Sequence, residues 1–213
     1  MSDATTSETS AATAADYRWL KERFSGLAEA YCLSLVRDRT PDELLSHIGA
    51  TPYIHVKGVE ELLEPAYDAW DEHDGEQLFV AVARLGDWTL MVEPNGYLGA
   101  FGEVLGPLSR GTTAVSHFRN VNALDHFHWY EDGELRLHFE PLFAFERDGS
   151  TPDALTDVMR DVGFDLSDGD ERDYSLHTEA VFALAERLTG VRLTAELLAT
   201  VEFTGALAPD PDA

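Results

Sequence analysis

Leu78-Phe-Val-Ala-Val-Ala-Arg-Leu-Gly-Asp-Trp-Thr-Leu-Met-Val92 holds two apolar runs on either side of Gly86-Asp87. Two such runs around a two-residue turn signal read as a β-hairpin. Strands joined this way need no crossover helix, so the stretch argues for an antiparallel sheet rather than a βαβ repeat.

Toward the C-terminus, Pro94-Asn95-Gly96 is turn chemistry, and a short helix from Gly102 to Leu108 leads to a strand over Thr113 to Arg119. Asp125-His-Phe-His-Trp-Tyr-Glu-Asp-Gly-Glu-Leu-Arg-Leu-His-Phe-Glu140 is a second hairpin. Its loop length decides which side chains share a face. A two-residue Asp132-Gly133 loop pairs Glu131 with Glu134. A three-residue loop pairs Tyr130 with Glu134 and sets His126 opposite His138. The second register puts Phe127, Trp129, Leu135, Leu137 and Phe139 on one face and His126, His128, Tyr130, Arg136 and His138 on the other. That separation of apolar from polar selects it.

Toward the N-terminus, Tyr17, Trp19, Leu20, Phe24 and Leu27 have helical spacing, and Tyr31 to Val36 reads as a strand, with a continuation of that helix as the alternative. Thr40-Pro-Asp-Glu43 is a capping-box start for a helix burying Leu44, Leu45 and Ile48 and ending at Gly49. Val59, Leu62, Leu63, Ala66 and Trp70 mark another helix, which Pro65 must kink or divide. Beyond the second hairpin, Thr151-Pro152 starts a helix burying Leu155, Val158, Met159 and Val162, and another runs from Thr178 to Leu188 before Gly190. A short helix near Ala195 precedes a tail containing Pro209 and Pro211. Thr51-Pro52 reads as turn chemistry. These elements predict a single α+β domain over residues 16–205, a mainly antiparallel sheet with helices packed mostly on one face, and disordered tails at 1–15 and 206–213.

The charge balance narrows the partners. Forty Asp and Glu face fifteen Lys and Arg in 213 residues, a formal net charge of −25. No Lys/Arg cluster offers nucleic-acid phosphates a footprint, and an anionic membrane surface repels such a chain. That leaves small molecules, cations, or a protein with a basic face, toward which this field speeds association, and a protein is the expected partner. Cys32, the single cysteine, lies in an apolar stretch and reads as a buried thiol. The Ser/Thr/Ala-rich start lacks a secretory signal, and no apolar run reaches membrane-spanning length, so a cytoplasmic protein is expected.

Two sets of residues are candidates for a site. His126, His128 and His138 on one hairpin face could offer three imidazoles to a Zn²⁺ ion and leave a position for water, the basis of a metal-dependent hydrolase or lyase. Glu93, Asn95, Asn120 and Asn122 sit at strand ends and turns, where a rigid sheet presents binding side chains, and could line a small-ligand pocket. The acidic loop Asp165-x-x-Asp168-x-Asp170 lacks the order and terminal glutamate of an EF-hand. Glycines 96, 99, 102 and 106 are followed by no Gly-Lys-Ser/Thr, and Ser116 and His117, adjacent on a strand, point to opposite faces. No cofactor is expected.

Several segments together carry a family resemblance: Tyr31-Cys-Leu-Ser-Leu-Val-Arg37, Thr40-Pro-Asp-Glu-Leu-Leu45, Trp88-Thr-Leu-Met-Val-Glu-Pro-Asn-Gly96, Glu103-Val-Leu105, Ser116 with Asn120-Val-Asn122, and Phe139-Glu-Pro141. Over roughly Tyr17 to Leu198 the chain resembles the bacterial domain-of-unknown-function family 6461. The resemblance implies a bacterial cytoplasmic protein with no established activity. Its pattern does not call for histidine at 126 and 128, which directs attention to Glu93, Asn95, Asn120 and Asn122. The absence of a catalytic motif, the acidity and the α+β build together predict a non-catalytic protein-binding module, a regulator or an immunity-type neutraliser of a basic protein.

Overall fold

A computed structural model describes residues 11–169 and 171–211. After a 3-10 turn at Ala14–Tyr17 come helices α1 (Trp19–Arg23) and α2 (Ser25–Glu29), strand β1 (Tyr31–Arg37), helix α3 (Pro41–His47) and strand β2 (Thr51–Lys57). Helix α4 (Leu63–Glu72), the hairpin β3 (Gln77–Leu85) and β4 (Trp88–Pro94), helix α5 (Gly102–Leu108) and strand β5 (Thr113–Arg119) follow. The rest is β6 (Asp125–Glu131), β7 (Glu134–Phe139), the two-residue β8 (Arg147–Asp148), helices α6 (Thr156–Val162), α7 (His177–Thr189) and α8 (Ala195–Thr200), and strand β9 (Glu202–Pro209). The nine strands form one sheet in the order β2-β9-β3-β4-β1-β5-β6-β7-β8, and every pairing is antiparallel.

Both faces of the sheet are covered. Tyr31, Leu33 and Leu35 of β1 enter the larger core, which α1, α2, α4, α6, α7 and α8 close. Val36, on the alternate face with Cys32 and Ser34, enters a smaller core under α3 and α5. Helices therefore lie mostly on one face, as the sequence predicts. The unbroken apolar run at Leu78–Ala83 has its reason here: these β3 residues are buried against both layers.

Local signals explain most boundaries. Thr40 Oγ1 accepts from Glu43 N at 3.2 Å while Glu43 Oε2 accepts from Thr40 N at 2.8 Å, the predicted capping box. Pro65 sits in the first turn of α4, where its missing N–H costs nothing, and the division it was expected to impose falls before Leu63. Gly190 ends α7 with φ 73°.

Several expectations need correction. Residues 206–209 are not tail but the end of β9, a strand inside the sheet between β2 and β3, with Ala206 and Ala208 fully buried. Small residues concealed it. A Cβ at Gly205 would lie 2.6 Å from Ile54 Cγ1 and 3.0 Å from Phe79 Cε2, so the tight packing there excludes the large side chains that mark a strand in sequence. The N-terminal boundary also moves: Ala12 and Ala14 are buried, and Tyr17 Oη donates to Glu186 on α7 at 2.8 Å. Residues 1–10, Asp170 and residues 212–213 lie outside the described residues. Thr51-Pro52 opens the edge strand β2 rather than a turn. Thr151-Pro152 does not start α6, because Ser150 N donates to Leu135 O and Thr151 N to Arg136 O, tying this segment to β7 until Thr156.

The β6–β7 hairpin combines the two-residue and three-residue loop registers. Asp132 and Gly133, at φ 52° and 81°, form the two-residue loop, and Glu131 pairs with Glu134. A bulge then shifts the pairing to Trp129↔Leu137, His128↔His138 and Phe127↔Phe139, leaving Arg136 as the extra residue. The bulge restores the expected faces for Phe127, Trp129, Leu137 and Phe139, but His138 stands opposite His128 instead of His126. Leu135, on the turn side of the bulge, joins the smaller core with Tyr130.

Candidate functional site

Glu93, the penultimate residue of β4, has no exposure. Its Oε2 accepts from Leu98 N at 2.7 Å and its Oε1 from Gly99 N at 2.9 Å. Burial pushes the carboxyl up to about 7 despite these donors. A Cβ at Gly99 would run into Ser34 Oγ and Cys32 Sγ, so the loop closes over the carboxylate at backbone distance. Cys32 Sγ lies 3.4 Å from Ser116 Oγ, and burial pushes its thiol up, which makes it a packing residue.

Asn95, at φ 53°, is exposed beside a small hollow lined by Trp70, Gln77 and Phe79. Asn120 Oδ1 accepts from Asn122 N at 2.9 Å and from Leu124 N at 3.1 Å, a side chain folded onto its own turn. The two loops leave the same end of the sheet, since Tyr31 pairs with both Pro94 and Arg119. Of the four residues, only Asn95 and Asn122 present exposed side chains there.

The histidines form a chain. Asp148 Oδ2 lies 3.0 Å from His138 Nδ1, and His138 Nε2 lies 3.2 Å from His126 Nδ1. With Asp148 accepting from Nδ1–H, His138 Nε2 accepts from His126. His128 stacks on His138 with ring centroids 4.7 Å apart, and burial pushes its imidazole down to about 3. The rings thus face one another, and among the described residues no three His, Cys, Asp or Glu side chains are grouped to hold a metal ion. The bulge carries Arg136 away from His128, to Glu134 at 3.2 Å and over the Trp129 ring.

A second polar cluster, which sequence reasoning missed, centres on Asp125 under the larger core. Asp125 is fully buried, and its Oδ2 lies 3.1 Å from Arg119 Nη1 and 3.7 Å from both His117 Nε2 and His177 Nε2. Tyr31 Oη lies 3.0 Å from His117 Nδ1. A Tyr31 hydroxyl donating to Nδ1 leaves the proton of neutral His117 on Nε2, facing Asp125. Burial lowers His117 and favours that neutral form. Burial alone would raise Asp125, but His117, His177 and Arg119 outweigh it and hold the carboxyl below its ordinary value. Asp125 precedes His126 at a strand start and reads in sequence as solvated. Its partners come from β5 and from α7, about fifty residues later, so no local pattern announces the cluster.

The third region is the sheet edge at β2. β2 pairs with β9 on one side only, and among the described residues no strand pairs with its other edge. A bulge at Tyr53 turns that ring toward Phe79, at 6.2 Å between centroids, on the α4 side. Burial, with the carboxylates of Asp68 and Glu72, raises the Tyr53 hydroxyl. Between strand and helix runs an open groove lined by Ile54, Val56, Lys57, Glu61, Glu64 and Asp68. Glu64, Asp68 and Glu72 recur at i, i+4 along the exposed flank of α4. Like charges at this spacing destabilise a helix, and none of the three has an ion-pair partner among the described residues.

Among known proteins, the family model described as a family of unknown function (DUF6461) matches residues 10–212. Neither the curated proteins nor the solved structures gave a match.

Proposed function

The chain belongs to the family of unknown function DUF6461, and from that starting point we propose that it is a non-catalytic module that binds a basic protein, as a regulator or a neutraliser of that partner. The observation that carries this reading is the uncompensated acidity. The chain has a net charge of −25, and most of its fifteen Lys and Arg side chains are already in ion pairs within the chain. The surplus carboxylates face outward, and such a field draws in a cationic partner faster than a neutral one.

Two of the polar clusters support the same reading. Tyr31, His117 and Asp125 are sealed in the interior, and Glu93 is closed over by its own loop. None of these groups presents a reacting atom to a substrate. No helix among the described residues is long and apolar enough to cross a membrane.

The test is capture of partners from native-host lysate on the immobilised full chain, followed by binding of the purified partner over a range of salt. A basic protein whose association slows steeply with ionic strength is the expected result. A partner bound with equal speed at low and high salt, or none at all, would overturn the proposal.

A further inference from the structure

The geometry points to the open edge of β2 as the docking position, where an extended Lys/Arg-bearing segment of the partner adds as a tenth strand. This deepens the proposed function and rests on it. An edge strand presents unpaired N–H and C=O groups, and an added strand satisfies them while its side chains enter neighbouring pockets. The opposite edge, β8, has only two residues, so among the described residues β2 is the one edge of this sheet long enough to template a strand.

The details of β2 define the register available. Pro52 lacks an N–H and Tyr53 is bulged out, so regular pairing is confined to Ile54–Lys57. A strand laid there runs past the groove that Ile54 and Val56 line on one side and Glu61, Glu64 and Asp68 on the other. Side chains of an added strand alternate between faces. Every second one therefore points at the carboxylate row of α4, and a lysine or arginine there relieves the like-charge repulsion along Glu64, Asp68 and Glu72. Tyr53, about half exposed, supplies an aromatic wall for the aliphatic part of such a side chain. Charge decides between occupants. A second copy of this chain would bring another −25 to the same edge and be repelled, whereas a basic segment is complementary.

The test uses the full chain and a labelled ten-residue peptide alternating arginine and valine, read by fluorescence anisotropy and by amide hydrogen exchange. Binding that protects β2 amides, and a Kd raised at least about tenfold in the Glu61→Lys, Glu64→Lys, Asp68→Lys triple variant, is the expected outcome. The three side chains are exposed, and an unchanged circular dichroism spectrum shows that the variant folds. Peptide binding without protection of β2 amides would overturn strand addition while leaving the basic-partner reading standing. Binding undiminished in the triple variant would place the partner elsewhere, and a concentration-dependent dimer protected at β2 would assign the edge to a second copy. Failure of the peptide while a basic protein still binds sinks this inference alone, and failure of both sinks the proposed function as well.

Discussion

Burial holds the Glu93 carboxyl near 7, against an ordinary 4.5. The folded chain therefore keeps a proton there that the unfolded chain releases first. Glu93 stabilises the fold fully below pH 4.5, and that contribution is lost as pH rises through 7. In Glu93→Gln the proton is gone from both states. Denaturant unfolding at several pH values should show the wild type losing on the order of 3 kcal/mol relative to the variant across this window. Parallel profiles would refute the buried-acid account. Asp125→Asn tests the other cluster. It leaves Arg119 facing a neutral amide in a mostly dry site, and urea unfolding should show a loss of roughly 3 kcal/mol or more. A loss below about 1 kcal/mol would mean that the pair behaves like an exposed one. At this scale the sequence was only partly legible. The position of Glu93 at a strand end was readable, but its role as the anchor of Leu98 and Gly99 depends on a loop that folds back. His126 and His138 were rightly set on one face, whereas their offset turned on a bulge that period-two alternation cannot register.

Elements announced themselves in proportion to how local their causes are. The β3–β4 hairpin, the Thr40 cap and the Gly190 stop depend on residues a few positions apart, and each was readable. β2 and β9 were not. β2 is edge-placed and mostly exposed, so it shows little hydrophobic pattern, and β9 is built from Gly and Ala where Ile54 and Phe79 need the space. A chain truncated after Val201 tests the weight of β9. Removing a strand from between β2 and β3 exposes Phe79, Val80 and Ala81 and strips β2 of its only strand partner among the described residues. The truncated chain should lose its cooperative thermal transition by circular dichroism. A sharp transition retained within a few degrees would show that β9 is the dispensable tail that composition suggested.

For the molecule as a whole, acidity acts on the fold as well as on partners. A net charge of −25 on one compact chain repels itself, and salt screens that repulsion over about 10 Å at 0.1 M. Melting temperature should therefore rise as sodium chloride is added from low ionic strength. A fall would mean that the internal ion pairs, Arg119–Asp125 foremost, outweigh the repulsion. The same addition of salt should slow partner association, so stability and binding rate should move in opposite directions along one titration.

The place of β9 also has a consequence for biogenesis. Translation delivers β2 and β3 early, yet the strand that joins them arrives more than a hundred residues later. Until then a nascent chain carries β3 with a bare flank and β2 with nothing to pair with. Vectorial folding can assemble β4, β1, β5 and β6 as they emerge, but closure of the sheet waits until Pro209 has cleared the ribosome. Through that interval the growing polypeptide depends on its own negative charge, or on a chaperone, to stay apart from its neighbours.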